Sequence, residues 1–291
     1  MSGRVATLGS NGAKTLDGDW LDDIDREVLA LPAVIAAGTL FVSRVAINAR
    51  AEVPIDLVAL QEWLVPLTAM ACAGSLLAIA VVHGKPFEML GLAFVGVFGV
   101  AGTVARPAYT PTVVAIVVGT PIALGDRLRT DEGVRVGPAL VTGVLLSGLV
   151  ASLAGTLGVD VALSRSLGSQ LTLVGVAGTP VFLARGRGDW LVGAVGAGLL
   201  VALGVFTPFL LGATGLVAGA VVGASVPVMA LAVGGLTTTA SAALRTRHRP
   251  ALLGAGLLLF AGIPATIPRA LPFALALTLL VGSVSGGVGD D

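Results

Sequence analysis

Charged side chains are missing from long parts of this sequence. The 55 residues from Trp190 to Leu244 contain no Asp, Glu, Lys, Arg or His. One crossing of a lipid bilayer uses about 20 apolar residues, so this length predicts two crossings with a turn near Thr207, Pro208 and Gly212. The absence of charge over such a length excludes a water-soluble core and predicts that the chain lies in a membrane.

Groups that would mark a catalytic or metal site are also scarce. Cys72 is the single cysteine, which excludes a disulfide within the chain. The two histidines, His83 and His248, fall outside the apolar runs and have no second ligand at metal spacing. No glycine-rich loop ends in Gly-Lys-Ser or Gly-Lys-Thr, so a P-loop nucleotide site is excluded. We therefore expect no metal, no cofactor and no enzymatic activity.

The surroundings of the cysteine match a known pattern in part. Residues 71–74 read Ala-Cys-Ala-Gly, which resembles the Ala-Cys-x-Gly neighbourhood of membrane-embedded sorting transpeptidases and implies a reactive thiolate at Cys72. That family also supplies an arginine and then a histidine from later helices. Here Arg106 is available, but the later histidine, His248, falls in a loop. We therefore interpret Cys72 as a small residue at a helix contact.

The amino-acid composition is dominated by apolar residues. Hydrophobic residues make up 55% and charged residues 12%, with a mean hydropathy of +0.98. Seventeen basic residues balance seventeen acidic ones, so no net charge attracts nucleic acid. We expect the lipid bilayer as the surroundings and no nucleic-acid partner.

Cutting the sequence where charges interrupt the apolar runs predicts an all-α, polytopic transmembrane bundle of about ten spans. The spans are Val28 to Ser43, Trp63 to Val82, Met89 to Ala105, Pro107 to Gly125, Val136 to Gly158, Ser166 to Ala184, Trp190 to Phe206, Gly212 to Leu236, Ala251 to Ile267, and Ala270 to Ser285. Because Pro264 and Pro268 interrupt the ninth span and the end segments are short, eight or nine spans remain alternatives. Arg-rich loops after the fourth, sixth and eighth spans indicate helical hairpins as the repeated unit.

Basic residues favour one side of this topology. Twelve would face the cytoplasm, namely Arg4, Lys14, Arg26, Lys85, Arg127, Arg129, Arg135, Arg185, Arg187, Arg245, Arg247 and Arg249, and five would face outside, namely Arg44, Arg50, Arg106, Arg165 and Arg269. The positive-inside rule then predicts a multi-pass cell-membrane protein with both termini in the cytoplasm. The chain divides into an acidic cytoplasmic tail at 1–27, a transmembrane domain at 28–285 and a short cytoplasmic tail at 286–291.

Acidic residues all fall in tails or loops under these boundaries. Ion-coupled carriers commonly keep an ionisable residue at membrane depth, and none is expected here. Arg44 is the charge nearest to a span interior, and its long side chain can reach the interface.

Two proline-containing segments resemble each other at an offset of 59 residues: 117–124 reads VVGTPIAL and 176–183 reads VAGTPVFL. Proline inside a helix leaves a carbonyl without its hydrogen-bond partner, which a preceding threonine can satisfy or which can line a passage. The candidates for lining a substrate path are therefore Thr120, Pro121, Thr179 and Pro180. The alternative is that these prolines only bend helices for packing.

Small residues at every fourth position predict close helix packing. They form the ridges Gly143, Ser147, Ala151, Gly155 and Gly215, Gly219, Gly223. In contrast, the polar run after Leu236, which includes Thr237, Thr238, Thr239 and Ser241, predicts a helix end that extends into the cytoplasm.

Ten spans in 291 residues, with both ends inside, resemble the outline of the drug and metabolite transporter superfamily. The resemblance implies small-molecule transport. That superfamily is built from two inverted halves, whereas the similarity seen here joins helices of the same orientation. The predicted function is a small-molecule permease without an intramembrane carboxylate. The alternative is a non-transporting membrane scaffold, or an anchor subunit of an envelope complex, with a partner membrane or cytoplasmic subunit.

Overall fold

A computed structural model describes residues 25–48, 56–125, 127–130, 133–206 and 225–285. These residues form an all-helical bundle. The α-helices are α1 (Arg26–Asn48), α2 (Leu57–His83), α3 (Pro86–Val104), α4 (Tyr109–Gly125), α5 (Val136–Ala154), α6 (Val161–Ala177), α7 (Arg187–Phe206), α8 (Val226–Arg245), α9 (Arg249–Ala261) and α10 (Ile267–Ser285). Short 3-10 turns occupy Arg106–Ala108, Gly155–Leu157 and Thr179–Phe182, and a two-residue strand pair, β1 (Arg129–Thr130) and β2 (Gly133–Val134), lies between α4 and α5.

Six of these helices are long and apolar enough to cross a bilayer, namely α1, α2, α3, α5, α7 and α8. Helices α4, α9 and α10 are apolar but shorter. The helices follow the predicted order of spans. The first part of the predicted eighth span, Gly212 to Leu236, is outside the described residues, and the described helix in this region runs from Val226 to Arg245, nine residues beyond the predicted end. Residues 207–224 lie outside the described part of the chain. The prediction of a polytopic helical bundle is confirmed.

Local sequence signals explain where two of the helices begin and end. The Asp56 carboxylate accepts the Val58 N–H at 3.0 Å and thereby caps α2, which begins at Leu57, six residues before the predicted start of the second span at Trp63. Helix α9 ends before Gly262, whose φ of 60° is a left-handed conformation that favours glycine. Pro264 follows two residues later, so the ninth helix is shorter than predicted.

Consecutive helices pack against each other as predicted for hairpins. Helices α1 to α4 pack one after another, and the pairs α5–α6, α7–α8 and α9–α10 form three further hairpins. Helix α8 also packs on α6, and α9 packs on α1. These long-range contacts join the hairpins into one bundle.

Glycines set the crossing points of two of these hairpins. A β-carbon on Gly91 of α3 would lie 2.5 Å from the carbonyl oxygen of Gly119 of α4. In the same way, a β-carbon on Gly193 of α7 would lie 2.7 Å from the carbonyl oxygen of Gly234 of α8. Such backbone contact is possible only without side chains, and close packing of this kind holds helices together where the hydrophobic effect between them is absent.

Helix α5 packs through a different face from the one predicted. The first two members of the predicted ridge, Gly143 and Ser147, are exposed, and a β-carbon on Gly143 would meet nothing within 4 Å. Gly148 packs instead against the backbone of Thr172 in α6. The four-residue spacing was correct, but it recurs on more than one face of a glycine-rich helix. The other predicted ridge, at 215–223, lies outside the described residues.

Helix α10 is the core of the bundle. Residues 270–281 are all buried, and the helix contacts α1 to α5 and α9. Thr278 is the only residue in this stretch with a polar side chain, and its hydroxyl donates to the Ala274 carbonyl at 2.9 Å. A helix that is apolar on all sides is covered either by protein or by lipid, and the contacts of α10 show that protein covers it. Helix α7 is the opposite case, because it packs mainly on α8 and only Asp189 and Gly193 are buried.

Candidate functional site

One end of the bundle collects charged side chains from distant parts of the chain. It comprises the start of α1, the α2–α3 turn, the residues after α4, the start of α7, the α8–α9 turn and the last turns of α10, and we call it the charged end. Among the described residues, its ion pairs include Arg26–Glu88, Arg127–Glu88, Arg245–Asp189 and Arg249–Glu27. Because these pairs join segments far apart in sequence, the charged end exists only in the folded bundle.

Glu88 lies at the centre of this network. It occupies the first turn of α3, and its side chain is 1% exposed. The Arg127 guanidinium donates from Nη2 to Glu88 Oε1, and Arg26 Nη1 lies 3.6 Å from the same oxygen. Arg26 also donates from Nη2 to the His83 carbonyl at the end of α2, at 3.1 Å. Pairing with two arginines makes burial of this carboxylate tolerable.

Arg127 keeps one donor without a partner. Its side chain is 4% exposed, and within the described structure its Nη1 has no hydrogen-bond partner. This nitrogen lies against Gly282 of α10, where a β-carbon would collide with it. A buried, unsatisfied guanidinium nitrogen is unfavourable, and such a group in a folded protein calls for an explanation.

A pocket of about 440 Å³ opens at the charged end beside α10. It is lined by Arg26, Lys85, His248, Pro250, Thr278, Leu279 and Gly282. Its volume is within the range of small-molecule sites. With a rise of 1.5 Å per residue, Thr278 lies about 10 Å along α10 from Ser285, so the pocket enters the bundle rather than resting on its surface.

Two of the lining residues sit where helices begin. His248 accepts the Ala251 N–H on its Nδ1 at 3.4 Å and caps α9, which leaves the ring N–H on Nε2 as a donor. Lys85 precedes the first turn of α3 and makes no side-chain capping bond. The positive end of a helix dipole attracts anions. The pocket therefore presents donors and positive charge.

The prediction that all acidic residues fall in tails or loops is wrong for four of them, because the helices α1, α2, α3 and α7 include Glu27, Glu62, Glu88 and Asp189. The two that are buried are Glu88 and Asp189. Boundaries drawn at charges started the third and seventh spans one residue after each of them. The structure starts α3 at Pro86 and α7 at Arg187, so both carboxylates lie in a first helical turn and are buried. Each pairs with arginine from another segment, which sequence boundaries cannot show.

Asp189 fastens the start of α7 to the end of α8. Arg245 donates to its two carboxylate oxygens from Nη2 at 2.7 Å and Nε at 3.2 Å, and Ser241 donates at 3.3 Å. The polar run of α8 that was predicted to extend beyond the bundle instead packs within it, because Thr238 and Thr239 are buried. Glycines on the facing helices provide the space, as Gly193 does for Thr238.

The four predicted path residues occupy two different local structures. Thr120 and Pro121 lie inside α4, whereas Thr179 and Pro180 form the 3-10 turn that follows α6. The Thr179 hydroxyl donates to a backbone carbonyl at 2.8 Å and accepts from the Thr239 hydroxyl at 2.9 Å. The Thr120 hydroxyl is buried, and no partner for it lies in the described ranges. Neither threonine lines the charged-end pocket, and their role in a path stays a prediction.

Cys72 is fully buried within α2, in agreement with its interpretation as a helix contact residue. Among the described residues, no group of three or more His, Cys, Asp and Glu side chains is placed to hold a metal ion.

Apolar helices of membrane-spanning length, packed around an enclosed apolar helix, define an integral membrane protein. The chain belongs to an integral membrane family of unknown function, DUF8068, whose sequence model matches residues 26–281. The match extends from the first residue of α1 into the last turns of α10. No curated protein and no solved structure gave a significant match to the chain.

Proposed function

We propose that the chain is a small-molecule permease of the cell membrane, with the charged end and both termini in the cytoplasm. The observation that carries this proposal is the pocket of about 440 Å³ that enters the bundle beside α10. Because protein surrounds α10, this helix makes no lipid contact over residues 270–281. A polar opening beside such a helix is where a solute would enter.

The distribution of basic residues supports the orientation. Among described residues, the charged end includes Arg26, Lys85, Arg127, Arg245 and Arg249. The opposite end includes Arg44, Arg165 and Arg269. Basic residues are retained on the cytoplasmic side of membrane proteins, so the charged end is the cytoplasmic one in this proposal.

The burial and position of Glu88 bear on the kind of permease that we propose. A buried ionisable residue in a membrane helix is a functional-site hypothesis by default. Glu88 lies in the first turn of α3, near the pocket entrance rather than at mid-membrane. It therefore supports an entrance site whose arginines it positions, and not a proton-coupling carboxylate at the centre of the bundle.

Cysteine labelling of α10 tests the proposal. In a Cys72→Ala background, Thr278→Cys should react with a membrane-impermeant thiol reagent in inside-out vesicles and not in right-side-out vesicles. Alternating access must also expose deeper parts of α10, so Leu275→Cys, which is buried in this state, should react at a measurable rate. Leu149, which is equally buried in α5, provides the matched control, and Leu149→Cys should not react. If neither α10 cysteine reacts from either side, the permease proposal is wrong.

The exposed face of helix α7 supports a second candidate function, that of a non-transporting scaffold or anchor subunit. It packs mainly on α8 and exposes Leu191, Val195 and Leu199 on its outer face. A partner membrane subunit could cover this face. A stoichiometric membrane protein that copurifies in mild detergent, and that is lost with Leu199→Trp, would support the scaffold.

A further inference from the structure

We propose that the charged-end pocket binds a phosphate group, carried by a phospholipid headgroup or by a phosphorylated solute. This inference concerns the ligand of the pocket, and it rests on the proposed function only where that ligand is also transported. The pocket lies at the end of the membrane-spanning helices, where lipid phosphates and cytoplasmic solutes are both within reach.

Charge is the first argument. Around the pocket, Arg26, Arg127 and Lys85 bring three positive charges, and Glu88 brings one negative charge. Of the other acids at this end, Glu27 is paired with Arg249 at 3.1 Å, and Asp25 is exposed directly before Arg26. With Asp25 counted, the described side chains leave an excess of one positive charge, since three minus two is one. A phosphate group is an anion, with about −1.5 to −2 charges as a monoester at pH 7, so its charge is opposite to this excess.

The unpartnered donor is the second argument, and it is independent of the first. Arg127 Nη1 is buried without a hydrogen-bond acceptor in the described structure and lies against Gly282, which lines the pocket. Arg127 donates from Nη2 to Glu88, so the carboxylate fixes the guanidinium behind the part of the pocket wall that Gly282 forms. A ligand that reaches past this glycine would supply the acceptor that the buried Nη1 lacks. Arginine presents two donors in a planar fork, and phosphate oxygens are acceptors of the matching geometry.

The direction of the other donors is the third argument. Lys85 lies at the start of α3, and His248 at the start of α9 with Nε2 free to donate. Both helices begin at the pocket, so the positive ends of their dipoles favour an anion there. Tetrahedral phosphate can accept from several directions at once, whereas a planar carboxylate has two oxygens only.

Binding of inorganic phosphate to the purified, delipidated full-length chain tests the proposal. The melting temperature is measured against phosphate concentration at pH 7.5, with chloride at matched ionic strength as reference. Phosphate should raise the melting temperature more than chloride does. Lys85→Gln should weaken phosphate binding about tenfold, because a hydrogen bond to a charged group is lost.

Two further variants make the measurement specific. His248→Asn removes the Nε2 donor but keeps a residue that caps helices well, so α9 should remain folded. It should weaken phosphate binding without lowering the melting temperature of the unliganded protein. Arg187→Gln removes an exposed positive charge at the same end that does not line the pocket. This matched control should change phosphate affinity by less than about twofold.

A second arm separates the two sources of phosphate. The chain is reconstituted in vesicles of phosphatidylglycerol and phosphatidylcholine, extracted again, and its bound lipids are counted by native mass spectrometry. Phospholipid retained by the wild type and lost in Lys85→Gln assigns the site to a headgroup. Binding of free phosphate in the presence of these lipids assigns it to a soluble ligand.

The proposal is overturned if phosphate stabilises no more than chloride and lipid retention is equal in wild type, Lys85→Gln and Arg187→Gln. This result would leave the permease proposal standing, because the labelling of Thr278→Cys and Leu275→Cys does not depend on phosphate. Conversely, phosphate binding together with unreactive cysteines in α10 would support the phosphate site and contradict the permease proposal.

Discussion

Arg127 and Glu88 are almost completely buried against each other, although they lie 39 residues apart and belong to segments that meet only at the charged end. Arg26 approaches the same carboxylate from the start of α1. Three segments of the chain therefore depend on one acidic group for their charge balance. Replacing Glu88 and replacing Arg127 should therefore lower the stability of the bundle by different amounts.

Glu88→Gln should destabilise the bundle more than Arg127→Gln. Without the carboxylate, two arginines remain close together without a counter-charge, whereas without Arg127 the carboxylate keeps Arg26. Breaking a buried ion pair by removing one partner costs roughly 3 to 5 kcal/mol. Thermal unfolding in detergent should place Glu88→Gln in this range and Arg127→Gln below it.

The double variant Glu88→Met with Arg127→Met provides the control. Replacing both partners by apolar residues avoids an uncompensated charge, so the double variant should be more stable than Glu88→Met alone. If the loss of stability in the double variant equals the sum of the losses in the two single variants, the two side chains do not interact as they do in the structure.

Gly148→Ala should destabilise the α5–α6 hairpin, and Gly143→Ala should not. A β-carbon at 148 would lie 2.8 Å from the Thr172 backbone nitrogen, whereas one at 143 meets nothing within 4 Å. Overpacking of this kind costs about 1 to 3 kcal/mol, while alanine in open space improves helix propensity by up to about 1 kcal/mol. Melting temperatures of the two variants should therefore move in opposite directions, and equal shifts would contradict the packing face.

The variants Thr120→Val and Thr179→Val distinguish a role of these threonines in helix packing from a role in a substrate path. Valine has nearly the same shape as threonine, so replacing the unpartnered Thr120 hydroxyl should raise stability by up to about 1 kcal/mol. Thr179→Val removes the bond from Thr239 and should lower stability by about 0.6 kcal/mol, the average for such bonds between membrane helices. A loss of transport in Thr120→Val without a loss of stability would instead support the predicted substrate path.

Single cysteines at the two ends should be labelled from opposite sides of the membrane. Thr246 is exposed at the α8–α9 turn of the charged end, and Arg165 is exposed near the start of α6 at the other end. In the Cys72→Ala background, Thr246→Cys should react only from the cytoplasm and Arg165→Cys only from outside intact cells. Reaction of both from the same side would rule out the proposed topology.

Apolar runs predicted the order of the helices well, because the free energy of burying uncharged segments in lipid depends on composition alone. The use of charges as boundaries explains why Glu88 and Asp189 were placed in loops. A charge can enter the first turn of a membrane helix when another segment neutralises it, and sequence separation hides that partner. The same limit applies to the eighth helix, whose polar end at Thr238 packs against Gly193.

Faces of helices were harder to predict than their positions. In α5 small residues recur on several faces, so spacing alone could not distinguish Gly143 from Gly148. Residues 270–281 are apolar on every face apart from Thr278, but this property does not distinguish the enclosed α10 from the outer α7, which is equally apolar from Trp190 to Phe206. The charged-end pocket had no signal in the sequence either, because its residues come from four separate segments.

The enclosed position of α10 constrains how the protein is made. Synthesis runs from the N-terminus, so α1 to α9 enter the bilayer before the helix that fills the space among them. Until α10 is inserted, its neighbours must pack around a vacancy or around lipid. Ribosome-bound chains that end before residue 267 should therefore be sensitive to proteases, and completion of this last segment should convert them into a resistant form.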